Sequence, residues 1–197
     1  MDIERICNVI ENGGLVITPT DTIYGIMADA TNEAVIKKVF EVKQRSYNKP
    51  LIVLVDSFEM LENYTEEISE KERKIIDKFW PGLVTIIFKK NSRISNLITG
   101  GNDTVAIRIP DNKDLLKIIS KLNRPVISTS ANITGTEVIT SIEMLEKDLI
   151  DKIDYIEDGG ILNNESSTII KIDDDKVNIL REGKITDEIK KYFEVIK

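Results

Sequence analysis

The chain has 197 residues, 41% of them hydrophobic and 31% charged, with a formal net charge of −7 and a pI ≈ 4.9. This length can bury a sizeable core as one domain, and the composition excludes a disordered chain. One cysteine, Cys7, excludes an intramolecular disulfide, and the absence of histidine excludes Ser/His and Cys/His triads and the usual Cys/His zinc sites.

Catalysis in such a chain must draw on lysine, arginine, hydroxyls, carboxylates, backbone amides or a hard metal ion. No apolar run approaches the ~20 residues that cross a bilayer, and the first residues lack a basic n-region and an apolar h-region. The expectation is a cytoplasmic protein with no membrane association. The acidic balance also argues against tight, nonspecific nucleic-acid binding, because phosphate contacts would work against long-range repulsion.

In chain order, Ile3, Ile6, Cys7 and Ile10 form a helical stripe that Gly13-Gly14 stops. LVIT (15–18) reads as a strand leading into the loop PTDTIYG. The spacing of Val35, Ile36, Val39 and Phe40 predicts a helix over 32–42. The apolar run LIVLV (51–55) suits a strand buried on both faces. Ser69 and Glu72 match a capping box, opening a helix that ends at Pro81-Gly82.

LVTIIF (83–88), TVAIRI (104–109) and PVIST (125–129) read as strands, with NKDLLKIISKL helical between the last two. Thr140 and Glu143 match a second capping box and predict another helix. STIIKI and VNIL flank Asp173-Asp174-Asp175-Lys176 as a hairpin whose acidic run is a solvated turn, and a helix starts at Thr186. Helices interspersed with strands, plus the late hairpin, predict an α/β domain spanning 1–197 on a twisted mixed parallel/antiparallel sheet with flanking helices.

Within this acidic chain, Lys43, Arg45 and Lys49 crowd one short loop. Neither GxxxxGK[ST] nor GxGxxG occurs, so any bound phosphate must be held by side chains and hydroxyl-rich turns. In TVAIRIP, alternation places Thr104, Ala106 and Arg108 on one face, a hydroxyl and a guanidinium with only a methyl between them. A guanidinium there suits a carboxylate or phosphate. STSANITG (128–135) offers Ser128, Ser130, Asn132 and Thr134 in a short turn able to aim hydroxyls and amides at an anion. The loop PTDTIYG adds Thr18 before it and Thr20, Asp21, Thr22 and Tyr24 within it, at a common ligand position in α/β sheets.

PTDTIYG, the K-x-R of Lys43 and Arg45 followed by Lys49-Pro50, TVAIRIP, SANITG, SSTII and LREG occur in this order and spacing. Together they closely resemble the threonylcarbamoyl-AMP synthase family, the YrdC-like or TsaC group, from about residue 10 to 183. The resemblance implies a deep basic cavity. It also implies an ATP-dependent nucleotidyltransferase that combines L-threonine, bicarbonate (or CO2) and ATP into L-threonylcarbamoyladenylate and pyrophosphate. The product would pass to the tRNA threonylcarbamoyltransferase complex for the modification of adenosine 37, and Mg2+ is expected with ATP.

Carried over by position, Lys43 and Arg45 are the implied catalytic cations. The nucleotide would meet Lys43, Arg45, Tyr47, Lys49, Thr104, Ser130, Asn132, Val138 and Arg181. Threonine would meet Thr20, Arg108, Ser128 and Ser167, with Arg108 on its α-carboxylate. The chain departs from the family pattern at Ser46, Leu54, Thr129 and Asn164, where proline, histidine, proline and glycine are frequent. Leu54 removes any imidazole from the threonine pocket.

The related domain of hydrogenase-maturation carbamoyltransferases accompanies Cys-rich fingers and His/Cys chemistry, which one cysteine and no histidine do not supply. An RNA-binding module is disfavoured by the net charge and by the scarcity of aromatics interleaved with basic residues.

Overall fold

A computed structural model describes residues 1–162, 165–173 and 176–196. In chain order the elements are α1 (Ile3–Glu11), β1 (Val16–Thr18), β2 (Gly25–Asp29), α2 (Glu33–Val42), β3 (Ile52–Leu54), α3 (Phe58–Glu62) and α4 (Glu70–Phe79). They continue as β4 (Val84–Lys89), α5 (Asn96–Thr99), β5 (Thr104–Arg108), α6 (Lys113–Leu122), β6 (Val126–Ser130), α7 (Lys147–Ile150), β7 (Tyr155–Ile156), β8 (Thr168–Asp173), β9 (Lys176–Arg181) and α8 (Thr186–Ile196).

Among the described residues the strands form one sheet in the order β7-β1-β2-β6-β3-β5-β4-β8-β9. Its pairs β1–β7, β3–β5 and β4–β8 are parallel and the others antiparallel, so the sheet is mixed, as expected.

Register divides the sheet into two unlike faces. Across six strands, Ala28, Ile127, Val53, Ile107, Ile86 and Ile170 stand opposite one another, and each is fully buried. At about 1.5–3 kcal/mol for each large aliphatic side chain buried, this ladder is a main source of stability. One residue along each strand lies the other face, where Ser128, Ile52, Ala106 and Ile87 pair in turn and are only half-buried. Ser128 and Ala106 are small and leave room beside Ile52, and the site forms on that face.

The local signals behave unequally. Ser69 and Glu72 close the expected capping box on α4, and Asn32 caps α2 through the amides of Ala34 and Val35. The second capping box, at Thr140 and Glu143, does not form. Only a single 3₁₀ turn occupies Ile142–Met144, without a side-chain cap, because Thr140 serves elsewhere: its carbonyl accepts Leu162 N at 2.8 Å and its hydroxyl contacts Met144 Sδ.

β2 was not anticipated. All five of its residues are buried, so it lacks alternation, and Gly25 at its head reads as the end of a loop. β8 and β9 form the expected hairpin. The expectations for Asp174, Asp175 and Asn164 lie outside the described residues.

Candidate active site

Four chain segments converge on the open face. The first is the turn joining antiparallel β1 and β2. Thr20 Oγ1 accepts from the amides of Thr22 (3.0 Å) and Ile23 (3.1 Å) and donates to the carbonyl of Ile23 (2.6 Å), which folds the turn upon itself. Asp21 Oδ2 takes Nη1 of Arg108 at 2.7 Å and the amide of Asp111 at 3.0 Å, tying the turn to the end of β5. Asp21 Oδ1 is buried without a partner. Tyr24 is fully buried; its hydroxyl donates to Gly160 O (2.7 Å) and accepts from Gly159 N (2.9 Å), so this turn also holds the 158–160 segment.

The second segment follows α2. Lys43 caps that helix and runs inward, only 1% exposed. Its Nζ donates to the carbonyls of Ser130 and Asn132 (2.7 Å for Asn132) and to Asn132 Oδ1 (3.4 Å). Three acceptor oxygens ask for an ammonium, whereas burial, and secondarily the neighbouring Arg45, favour the neutral amine. The balance pulls its pKa down from 10.5 to about 7. Arg45 turns back on its own loop, donating Nε to Lys49 O (3.2 Å) and Nη2 to Pro50 O (2.7 Å). Burial lowers the pKa of its guanidinium as well.

The third segment is the turn after β6. Ser130 Oγ donates to Asn132 Oδ1 at 2.5 Å, and Asn132 Nδ2 donates to Thr136 O at 2.7 Å, so the side chains of the turn are committed to its shape.

The fourth is the open end of the β8–β9 pair, where the residue before β8 meets the last residue of β9. Arg181 grips Ser167 through Nε and Nη2 to its carbonyl (3.0 and 2.8 Å) and through Nη2 to its hydroxyl (2.9 Å). From the sheet, Thr85 of β4 meets the same hydroxyl at 2.8 Å. Gly183 is required here by close approach: a Cβ would stand 2.5 Å from Ser166 O and 2.8 Å from Thr168 N. Burial, then the nearby charge of Arg108, lower the pKa of Arg181.

Between these segments lies a cavity of ≈ 400 Å³. Its charged wall consists of Arg45, Arg108 and Arg181, and its hydroxyls are Thr20, Thr22, Ser128, Thr129, Ser130, Ser166 and Ser167. Ile23, Leu51, Ile52, Leu54, Val138 and Ile169 supply the apolar remainder.

Among the described residues, Arg45 and Arg181 are bonded to carbonyl oxygens and a hydroxyl, not to carboxylates. Arg108 alone among the three has a carboxylate partner, Asp21, in the described residues. Dipoles satisfy the donors without cancelling the charge, so the wall keeps a positive field in a partly dehydrated space.

Of the residues expected from sequence, Thr20, Arg45, Arg108, Ser128, Ser130, Val138, Ser167 and Arg181 line this cavity. Lys43 and Asn132 lie beneath its wall, bonded to each other and to the turn after β6. Tyr47 is exposed and packs on Phe40 with ring centroids 4.8 Å apart, and Lys49 is exposed beside it; neither lines the cavity.

Thr104 is on the predicted face but at the wrong end of its strand. It pairs with Lys89, four residues and roughly 13 Å along β5 from Arg108, in a separate depression with Lys89 and Lys171. Leu54, at the position where a histidine is frequent, does line the cavity and makes that part of the wall apolar.

Three contributors had been given no role. Asp21 and Thr22 sat in a loop already flagged for its hydroxyls, and Thr85 is signalled only by a hydroxyl inside an otherwise apolar strand. Among the described residues no group of three or more Asp, Glu, Cys or His side chains gathers as a metal site, and no helix is long and apolar enough to cross a membrane.

The profile of the Sua5_yciO_yrdC family, described as "Telomere recombination", matches residues 8–183. The chain belongs to the Sua5/YciO/YrdC family. Within it, a Methanocaldococcus jannaschii protein is 42% identical over 177 residues, covering 89% of this chain and 83% of its own. Threonylcarbamoyl-AMP synthase of Bacillus subtilis is 36% identical over 182 residues, covering 91% of this chain and 53% of its own.

Among solved Sua5/YciO/YrdC structures, Pyrococcus abyssi Sua5 complexed with L-threonine superposes with a TM-score of 0.91 at 38% identity, over 96% of this chain and 56% of that one. The chain thus spans a little over half the length of the Bacillus and Pyrococcus relatives.

Proposed function

We propose that this chain, as one domain over residues 1–197, is a threonylcarbamoyl-AMP synthase, converting L-threonine, bicarbonate and ATP into L-threonylcarbamoyladenylate and pyrophosphate for t6A formation in tRNA. The observation that carries this reading is the cavity wall of three guanidiniums against, among the described residues, a single carboxylate, beside a row of hydroxyls. Such a wall suits two anionic reactants that must be brought together. The relatives' names and the L-threonine complex of the Pyrococcus protein support reading these two as L-threonine and ATP.

In this assignment Arg108 receives the α-carboxylate through Nε and Nη2, the edge that Asp21 leaves open, with Thr20, Ser128 and Ser167 around the amino acid. Arg45 and Arg181 face the nucleotide with Ser130 and Val138. Tyr47 and Lys49 stand at the rim, and Lys43 and Asn132 shape the turn from below.

The amine of threonine, once deprotonated, adds to CO2 released from bicarbonate and forms a carbamate. A carbamate oxygen then attacks the α-phosphorus, and the bond to the α–β bridging oxygen breaks as pyrophosphate leaves. The guanidiniums screen the repulsion between the two anions and stabilise charge on the phosphoryl oxygens. Without histidine, positioning provides much of the acceleration. Mg2+ would accompany ATP and supply counter-charge to its phosphates, without a cluster of protein ligands among the described residues. We place the reaction in the cytoplasm, with the adenylate handed to a tRNA threonylcarbamoyltransferase and no tight tRNA binding by this chain.

The test is rapid-quench mass spectrometry after incubation with ATP, Mg2+, L-threonine and labelled bicarbonate, with pyrophosphate followed in parallel. Labelled threonylcarbamoyladenylate and threonine-dependent pyrophosphate are expected. ATP binding with neither product would overturn the substrate assignment while leaving the family intact.

A further inference from the structure

The turn between β1 and β2 carries two threonine hydroxyls into the cavity, and they are not equivalent. Thr20 Oγ1 has one proton and two lone pairs. The proton is committed to the carbonyl of Ile23, which can only accept, at 2.6 Å. Its lone-pair side is shared by three donors, the amides of Thr22 and Ile23 at 3.0 and 3.1 Å and the hydroxyl of Thr22 at 2.8 Å. This hydroxyl has no capacity left for a ligand. Its methyl, not its oxygen, lies toward Gly25, 3.4 Å from where a Cβ on that glycine would sit, while the Ser128 hydroxyl lies 3.1 Å from the same point.

Thr22 is in the opposite situation. Its side chain is almost wholly buried, and its one partner among the described residues is Thr20 Oγ1, at 2.8 Å. Two hydroxyl oxygens at that separation need a proton between them. Since the proton of Thr20 is on Ile23 O, the shared one belongs to Thr22. Thr22 therefore meets the cavity with lone pairs only: it is an acceptor, fixed in orientation by its neighbour and without a protein donor to fill it. A buried acceptor of this kind favours a ligand that brings an O–H or N–H and penalises one that brings a methyl in its place.

We infer that Thr22 is a specificity-determining residue, its Oγ1 accepting the hydrogen bond of the side-chain hydroxyl of the amino-acid substrate, while Thr20 acts as the brace that orients it. This rests on the proposed reaction, in which a β-hydroxy amino acid enters the cavity. It assigns the reading of the hydroxyl to a residue that had been given no role, and turns Thr20 from a hydroxyl contact into a methyl contact. The substrate amine is the less suitable donor, because it must lose its proton to become nucleophilic and an acceptor beside it would hold that proton in place.

The experiment compares pyrophosphate release with L-threonine, L-valine and L-serine for the wild type, Thr22→Val, which keeps the shape and removes the oxygen, and Thr22→Ser, which keeps the oxygen. The wild type is expected to prefer threonine over valine by roughly 10⁴-fold in kcat/KM. Thr22→Val should reduce that ratio about 100-fold or more, by losing threonine turnover, with the KM for ATP unchanged; Thr22→Ser should retain it. If Thr22→Val does not fold, Thr22→Ala is put through the same comparison, with a thermal-shift titration of both amino acids.

A variant that still discriminates threonine from valine as the wild type does would overturn the inference. Equal losses on both amino acids would also overturn it, since they would place the acceptor on the amine. A wild type that releases no pyrophosphate with any of the three would instead bring down the underlying reaction.

Discussion

The ion pair of Arg108 and Asp21 can be broken without changing its shape. Its partners are 4% and 8% exposed, 2.7 Å apart, and the carboxylate also holds the amide of Asp111. In Asp21→Asn the amide oxygen can still accept from Arg108 and Asp111, but the negative charge disappears. The amide nitrogen then falls where Oδ1 already lacks a partner. Removing one member of a buried pair costs about 3–5 kcal/mol, and an unpartnered buried donor about 1–3 kcal/mol. The retained acceptor offsets part of this, so the expected loss is about 3–5 kcal/mol. For a chain of this size that is a fall of roughly 6–20 °C in Tm.

Added L-threonine should act in the opposite direction. With Asp21 neutral, the α-carboxylate of L-threonine becomes the remaining counter-ion for Arg108, so L-threonine should raise the Tm of the variant by more than it raises that of the wild type. Differential scanning calorimetry with and without L-threonine measures both. A variant that melts with the wild type would refute the dependence of Arg108 on Asp21. A variant that melts low but gains no more from threonine than the wild type would refute the placing of the carboxylate on Arg108.

Lys43 titrates at about 7 in the folded chain against 10.5 for the ordinary side chain, so the unfolded chain binds more protons across that interval. Stability of the ligand-free protein should therefore rise with pH from about 7 toward 10.5, and Lys43→Met should flatten that slope in chemical denaturation series. Bound phosphates favour the ammonium, so ATP binding at about pH 8 should take up protons, seen by calorimetry in buffers of different ionisation enthalpy. Gly183→Ala pushes a Cβ into the backbone of Ser166 and Thr168; a loss of about 1–3 kcal/mol by denaturation and a fall in kcat/KM are expected, because Ser167 lies between those two residues. Arg45→Ala should lower the rate of pyrophosphate release by about 10²–10³ while leaving Tm nearly unchanged, since the carbonyls it releases, Lys49 O and Pro50 O, are at the exposed end of the loop.

What could be read from the sequence follows the range of the forces involved. Helix stripes and the Ser69 capping box act over a few residues, and they appear where expected. Alternation placed Arg108 on the open face of β5, but strand period alone does not say which end of a strand a cavity occupies, and Thr104 fell on the wrong end. The Thr140 signal failed because a contact to Leu162, beyond its local window, took the backbone group that a helix would have needed. β2 carried no signal because a fully buried strand has no polar face to alternate with.

The cluster of Lys43, Arg45 and Lys49 was plain from composition. Its division into a buried brace, a wall residue and an exposed rim was not, because that depends on the turn at 130–132, some 87 residues further along the chain.

An acidic chain keeps a cationic cavity by choosing what its cations touch. A carboxylate would satisfy each guanidinium and also cancel it; a carbonyl oxygen satisfies the donors and leaves the charge. Arg45 leans on Lys49 O and Pro50 O, Arg181 on Ser167 O, and the buried Lys43 on Ser130 O and Asn132 O. Arg108 instead keeps Asp21.

At an effective dielectric near ~20, a unit pair about 4 Å apart is worth about 4 kcal/mol, so this difference in partners sets the pull of Arg45 and Arg181 relative to that of Arg108. In the proposed assignment, the uncancelled Arg45 and Arg181 suit a polyphosphate, which brings several charges and must be held through the displacement. The half-cancelled Arg108 suits a single carboxylate, which must be oriented without being bound so tightly that product leaves slowly. In the proposed assignment, the partners of the cations thus set how strongly each part of the cavity wall draws an anion, more at the proposed nucleotide contacts and less at the proposed amino-acid contact.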